Sequence, residues 1–487
     1  MAVITNPLKN LVVDLLLDEH DSDAFLKRAR GSDLDFKRNI RYYAAIGRSQ
    51  VWNDSDISPT AQPTLQEENR FRNNMQSVKL IADVSLVVPR YNWSSGTFYD
   101  AYDDATSTNT SAYYVINSNQ QVYMVLRKSI SNTGVAVAST IEPTGNTTGT
   151  PFKTSDGYVW KMVYSISSAS ANKFQSANFI PVELVKGQND SADISVGDSG
   201  SYSADQLAQA VIQKNAVDGQ IVGYAIDNPG SGYNSAPTLT ITGNGTNAKA
   251  VATISGGAVV KVTTDSDSAG GIGISTTNFG TGYDFASVAV SGGSPDSAAI
   301  IRPIISTANG GFGKDPIKDL RSNALMFNAK PSGAERADFF INQQFRQVGL
   351  LKNPTKPDGT AFDSSTGNAL TVLNFATVST PFEKDQIITG GTSGAKAIID
   401  FDSTGSTGVS GGALFIHQTD SNGFTSFTTG ETITASGGST GVLLGSSRHD
   451  SSPEVDPQSG ELLYIDNRSA ITRASGQTED LKIVIQV

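Results

Sequence analysis

Cysteine is absent from the 487-residue chain, and histidine occurs only three times, at His20, His417 and His449. The first absence excludes disulfides, thiolate catalysis and cysteine-based zinc sites together. Each histidine stands alone in its local sequence, so the usual general bases and metal ligands are scarce. Long apolar runs are missing too, since no stretch approaches the roughly 18–20 residues needed to span a bilayer. "LVVDLLL", near the start, is broken by Asp14 and followed by "DEHDSD". It has neither the basic lead nor the small-residue cleavage site of a secretory signal, so the expectation is synthesis and folding in a cytoplasm. Positive charge is also short: 36 Lys+Arg stand against 47 Asp+Glu, a net charge of −11. An acidic surface repels phosphate backbones and anionic lipid, which argues against nucleic acid or membrane as a partner.

What the chain does have is turn-rich β sequence. Apolar residues make up 38%, alongside 47 glycines and abundant Ser, Thr and Asn. That suits about two to four domains with proper cores joined by many turns. The start reads as helical. Asn6–Pro7 is a cap-then-first-turn pair, Leu8, Leu11, Val12 and Leu15 recur at helical spacing, and Gly31 stops a second helix in "DAFLKRARG". "TLQEENRFRNNMQSV" opens with Thr64 and Glu67 at capping-box spacing, and "SVKLIADVSLVVPRYNW" then turns extended until Pro89. From 112 to 185 strand follows strand: "AYYVINSN", "QQVYMVLRK", "DGYVWKMVYSI", "FIPVELV".

Near residue 190 a linker-like passage opens a region with an internal repeat. "NPGSGYNSAPTLTITGNG" (228–245) is echoed fifty residues later by "NFGTGYDFASVAVSGGS" (278–294). A second pair, "FEKDQIITGGTSGAKAIID" (382–400) and "FTTGETITASGGSTGVLLG" (427–445), recurs after 45 residues. Such repeats are small β-modules that stack or pair to bury single apolar faces. Residues 311–355 and 453–487 return to a charged, mixed texture. The expected fold class is therefore α+β and β-rich, a mixed core domain interrupted by two β-rich, repeat-bearing insertions. Its divisions are a helical arm (1–34), a first core segment (35–189), a Gly-Tyr repeat insertion (190–310), a second core segment (311–355), a second insertion (356–450) and a C-terminal core segment (451–487).

Candidate chemistry is thin. In "DGYVWKMVYSI" Tyr158, Trp160, Met162, Tyr164 and Ile166 fall on alternate positions and line one face of a strand, with Val159, Lys161, Val163 and Ser165 on the other. Met162 and Ile166 on the aromatic face favour a core wall or subunit interface over a nucleic-acid strip, which needs cations beside the rings. A sugar platform is the remaining alternative. Acidic clusters at 99–104, 264–268 and 449–456 read as solvated loops. Asp265, Asp267 and Gly270 match calcium-loop positions, but Ala269 and Thr276 stand where further ligands belong. His449–Asp450 is the nearest approach to a dyad and has no nucleophile motif. "GNG", "GGIGIS" and "GGTSG" lack the Lys-Ser/Thr of a phosphate loop and serve as turns, with Gly supplying positive φ. "AAIGRSQVW" and "VVPRYNW" each set an Arg near a Trp, the pairs Arg48/Trp52 and Arg90/Trp93, suited to a domain seam or a subunit contact.

Five segments, in order, resemble one family, the baseplate wedge proteins of the gene product 8 type in T-even-type contractile-tailed phages. They are "GRSQVW" (47–52), "VVPRYNW" (87–93), "DGYVWKMVYSI" (156–166), "FRQVGLLKNP" (345–354) and "GELLYIDNRSAITRASGQTEDLKIVIQ" (460–486). The resemblance covers about half the residues and excludes 1–30 and both insertions. It implies a mixed α/β, two-domain subunit that forms a homodimer and assembles with other baseplate wedge proteins in the virion tail. It implies no enzyme activity, no cofactor, no metal and no catalytic residue. The interface or framework residues it singles out are Arg48, Trp52, Arg90, Trp93, Tyr158, Trp160, Tyr164, Phe345, Arg346, Tyr464 and Arg468. The expected function is a structural wedge subunit that transmits baseplate rearrangement during contraction. The alternative is a tail adhesin whose insertions grip a host-surface glycan. A depolymerase using an acid such as Asp103 or Asp265 is a third reading.

Overall fold

The computed structural model of the chain describes residues 8–9, 12, 40–81, 83–106, 112–145, 147–185, 203–264, 274–306, 310–331, 344–402, 412–446, 449–473 and 479–487. Most of the N-terminal arm, the passage near 190 and the Asp265–Gly270 loop lie outside these residues. The chain is β-rich, with several separate sheets and one six-strand barrel. It divides into two units, one of residues 1–13, 85–325 and 485–487, the other of 14–84 and 326–484. Among the described residues no helix is long and apolar enough to cross a membrane.

In the first unit, Tyr114–Ile116, Gln121–Arg127, Val159–Ser165 and Phe152–Lys153 form a four-stranded antiparallel sheet. The aromatic row is a core wall. Tyr158, Trp160 and Met162 are buried in one cluster with Tyr99, Val115, Tyr123 and Val125. The alternation breaks after Met162, however. Val122 pairs with Tyr164 and Tyr123 with Met162, so Val163 is an extra residue in the ladder. Tyr164 leaves the aromatic cluster and donates its hydroxyl to the Pro181 carbonyl at 2.8 Å.

The opposite face of that strand is buried as well: Val159, Lys161 and Val163 are 2%, 3% and 0% exposed. The helix Ala204–Lys214 is fixed to it, with Gln209 Nε2 donating to the Val163 carbonyl at 3.1 Å. Ser203 and Gln206 close a capping box at that helix's start. Lys161 donates its Nζ to the Gly149 carbonyl, and burial pushes its amine down to about 8, against an opposing pull from Asp319. The sign of the pH effect follows. Below pH 8 both folded and unfolded chains hold the proton, and the penalty for burying the charge is constant. Between about 8 and 10.5 the folded chain has released the proton while the unfolded chain still binds it, so stability from this group rises with pH. Relative to Lys161→Met, the wild-type chain should gain roughly 3 kcal/mol across that window, read by urea unfolding at pH 8 and pH 10.5.

The Gly-Tyr repeats sit in the same unit and hold each other. Thr238–Gly243 pairs antiparallel with Ala286–Ser291, Thr238 facing Ser291 and Ile241 facing Val288. With a fifty-residue offset those two pairs are equivalents, so the repeats are related by a local twofold. The turns obey the same symmetry. Gly230 and Gly280 adopt φ of +68° and +64°. A Cβ on Gly230 would meet the Ser297 carbonyl and the Tyr233 ring, and one on Gly280 the Thr246 carbonyl and the Tyr283 ring. Tyr233 and Tyr283 are both buried. Each ring also lies against a glycine of the other repeat, Tyr233 against Gly293 and Tyr283 against Gly243.

The second unit contains a five-stranded antiparallel sheet in the order Thr366–Asn368, Met75–Leu80, Tyr42–Gly47, Gln344–Lys352, Glu461–Thr472. Tyr42–Gly47 is buried along its whole length: neighbours flank it on both edges, Tyr43 and Ala45 enter one core cluster, and Tyr42 on the other face meets the Phe327 ring. The extended run expected up to Pro89 is two strands, Met75–Leu80 and Asp83–Pro89. The helix Leu65–Asn73 starts where the sequence places it, with the Thr64 hydroxyl accepting from Glu67 N at 3.2 Å.

The barrel follows in the same unit. Its ring runs Ala413–His417, Lys396–Asp402, Ile387–Gly390, Thr432–Ala435, Thr440–Leu443 and Thr371–Val378. It closes where Thr371–Asn374 pairs with Ala413–Ile416. The two copies of the second repeat are neighbouring hairpins in it. Ile388 faces Ala435 and Gly390 faces Ile433, again equivalents under the 45-residue offset. Phe382 and Phe427, the leading residues of the copies, both enter the barrel core with Leu373, Phe375, Ile399 and Leu414.

Candidate interaction site

The chain after Gly47 leaves the five-stranded sheet as a loop that runs to Thr64, and its first part is fixed from several sides. Gly47 packs so closely that a Cβ there would sit 2.5 Å from the Asn74 carbonyl oxygen. Arg48 takes a left-handed φ of 62° and donates its backbone N–H to that carbonyl at 2.9 Å. Its guanidinium lies over the Trp52 ring, 4.2 Å from the centroid, a cation–π geometry. Burial and the neighbouring Arg346 charge hold the Arg48 guanidinium below the usual arginine range.

Trp52 is tied at both ends. Its backbone N–H donates to Asp56 Oδ1 at 3.0 Å and its indole N–H to the Arg468 carbonyl at 2.8 Å. The strand Glu461–Thr472 makes that carbonyl available by bulging. Phe345 faces Ile471 while Gln347 faces Asn467, so 468–470 oppose Arg346 alone. Arg346, 3% exposed, forks onto Asp56 through Nε at 2.8 Å and Nη2 at 2.8 Å, and donates Nη1 to the Ser49 carbonyl. Those hydrogen bonds pull the Asp56 carboxyl below its ordinary range. Planar two-point pairing of this kind fixes orientation, which a lysine would not.

The root of the loop continues into a buried polar group. Ser49 Oγ donates to Asp400 Oδ1 at 2.9 Å and Gln76 Nε2 donates to the same oxygen at 3.1 Å. The other Asp400 oxygen pairs with His417 Nδ1. What this loop presents outward is apolar: Val51 and Ile57 are 56% and 68% exposed, and Leu65, first residue of the helix that follows, is 71% exposed. Large exposed apolar side chains on a backbone fixed this firmly lose little entropy on docking, which favours a protein contact.

The residues expected from the sequence thus separate into two groups. Arg48, Trp52, Arg346 and Arg468 come together at this loop, with Phe345 buried beside them in the sheet and Tyr464 half-buried opposite Leu350. Arg90, Trp93, Tyr158, Trp160 and Tyr164 belong to the first unit. There Trp93 packs on the Tyr158–Trp160 cluster and donates Nε1 to Ser139 Oγ at 3.0 Å. Arg90 gives its Nε to Asn92 Oδ1 and its Nη1 to the Ser176 carbonyl, so the second Arg–Trp pair has a different geometry from the first.

Two partners escaped sequence reasoning. Asp56 lies 290 residues from Arg346, and its only local signal is the turn-rich "NDSD". Asp400 interrupts the alternating apolar strand "KAIIDFD", a signal that something polar waits inside. The acidic cluster at 99–104 is held by a cation: Arg302 meets Asp103 at 2.8 Å and Asp104 at 2.5 Å. His449 lies 3.6 Å from Asp450, whose side chain is 46% exposed. Among the described residues no group of three or more His, Asp or Glu side chains is placed to hold a metal ion. Compared with known proteins, the chain matches no family model and no curated sequence.

Proposed function

We propose that the chain is a structural subunit of a contractile-tail baseplate wedge, working through protein–protein contacts. In this reading a mixed α+β core is interrupted by β-rich insertions at 190–310 and 356–450. The core pairs as a homodimer and meets other wedge proteins in the virion. The observation that carries the proposal is the meeting of three wedge-like segments far apart in sequence, 47–52, 345–354 and 460–486: the first leaves the end of one strand, the second supplies the strand beside it and the third the next strand along. Tyr42–Gly47, Gln344–Lys352 and Glu461–Thr472 are adjacent strands of one sheet, and the loop leaving that sheet presents Val51 and Ile57. A clamped loop of this kind is suited to holding a neighbour before contraction and passing on a discrete shift of packing when the neighbour moves.

The test uses the purified full chain with its wedge partners. The chain should dimerise and enter a wedge complex. Val51→Asp with Ile57→Asp should weaken that binding at least about a hundredfold, because each buries a charge in the contact, while leaving thermal unfolding unchanged. A chain that stays monomeric and joins no wedge complex sinks the proposal.

A further inference from the structure

An open cleft of about 640 Å³ in the first unit has a chemical character opposite to the rest of the molecule. Its walls come from Thr150–Pro151, from Lys161 on the aromatic strand, from the end of the helix Ala204–Lys214 and the turn after it, from Gly280 and Thr281 of the second Gly-Tyr repeat, and from Asn247, Thr276 and Thr277 beside the repeats. The chain carries a net charge of −11. Yet the described residues lining this cleft include two lysines, Lys161 and Lys214, and no carboxylate.

The remaining polar lining is hydroxyl and amide: Thr150, Thr276, Thr277, Thr281, Asn215, Gln220 and Asn247. Thr281 donates its hydroxyl to the Asp218 carbonyl at 3.0 Å, which leaves its oxygen as an acceptor. Asn215 Nδ2 is committed to the Thr148 carbonyl at 3.0 Å, which leaves its amide oxygen likewise. Lys161 is 3% exposed and gives its amine to a neutral partner, the Gly149 carbonyl. The acid that acts on it is Asp319, which lies outside the lining and accepts from Gly313 N at 2.6 Å. Burying an ammonium beside a neutral carbonyl is costly unless an anion arrives to compensate it.

We propose that this cleft binds a small saccharide bearing an oxyanion, either a phosphate ester or a carboxylate. Lys161 and Lys214 meet the anion, and the threonine and amide groups meet the ring hydroxyls. The volume lies within the range of small-ligand sites and exceeds what a bare inorganic anion fills. A charged sugar also satisfies both halves of the lining, the two lysines and the mixed donors and acceptors. This inference does not depend on the wedge reading.

The test is calorimetric titration of the full chain with glucose 6-phosphate, glucuronate, glucose and inorganic phosphate. At least one of the two charged sugars should bind, and which one does separates phosphate ester from carboxylate. Glucose and inorganic phosphate should each bind about tenfold more weakly than that sugar. Lys214→Glu, at an exposed position, should reduce its affinity by at least about tenfold with unchanged thermal unfolding. Lys161→Met should do the same if it folds, and the Lys214 variant decides the matter if it does not. The proposal is overturned by any of three results. These are binding of neither charged sugar below about 10 mM, glucose or inorganic phosphate equalling it, or Lys214→Glu leaving affinity intact.

Discussion

Trp160→Ala should lower the unfolding free energy of the first unit by about 3–5 kcal/mol. The indole is fully buried, stacked on Tyr158 at 5.5 Å between centroids and edge-on to Tyr99 at 6.0 Å. Its N–H donates to Thr154 Oγ1 at 3.1 Å, so truncation leaves both a cavity and a hydroxyl without its donor. Tyr99, Tyr158 and the strand backbone cannot collapse into that space, because the opposite face of the strand is packed as well. Urea unfolding followed by far-ultraviolet circular dichroism measures the loss. A change below about 1 kcal/mol would mean that the row faces solvent in solution, since surface substitutions rarely exceed that.

The second large effect concerns the repeat turns. Gly230→Val and Gly280→Val should each destabilise by about 3 kcal/mol or more. Both positions have left-handed backbone, and a Cβ would come 2.6 Å from the Ser297 carbonyl oxygen in one case and 2.5 Å from the Thr246 carbonyl oxygen in the other. No rotamer change relieves a clash between Cβ and backbone. The local twofold adds a sharper expectation, that the two variants fall by similar amounts. Gly292→Asn is the control. Its φ is +78°, but nothing lies within 4 Å of the added atom, and asparagine tolerates that region, so about 1 kcal/mol or less is expected. Unequal losses at 230 and 280 would argue against reciprocal docking of the repeats.

Much of this was legible in the sequence where the signal is local. Alternation located Gln121–Arg127 and Val159–Ser165, and Thr64 marked its helix. The offsets of fifty and 45 residues anticipated modules that pair, because a strand with one apolar face must find a partner to bury it. Alternation names a face but not a partner. The closure of Thr371–Val378 onto Ala413–His417 therefore had no sequence counterpart. Nor did the extra residue at Val163, which sends Tyr164 away from the row, since a bulge is visible only in the pairing register. At the loop, the sequence singled out Arg48, Trp52, Arg346 and Arg468. It could not say that Asp56 gathers them, because an ion pair across 290 residues leaves no spacing to read.

On the proposed wedge reading, where copies stand side by side, the closed barrel has a further consequence. Sheets with open margins invite strand-by-strand growth between molecules. Each of the six described strands of the ring has a hydrogen-bonded neighbour on both sides, so the ring has no terminal strand for another molecule to extend. In that reading side-chain contacts join the barrel to its neighbours, and many copies sit side by side without fusing into fibres.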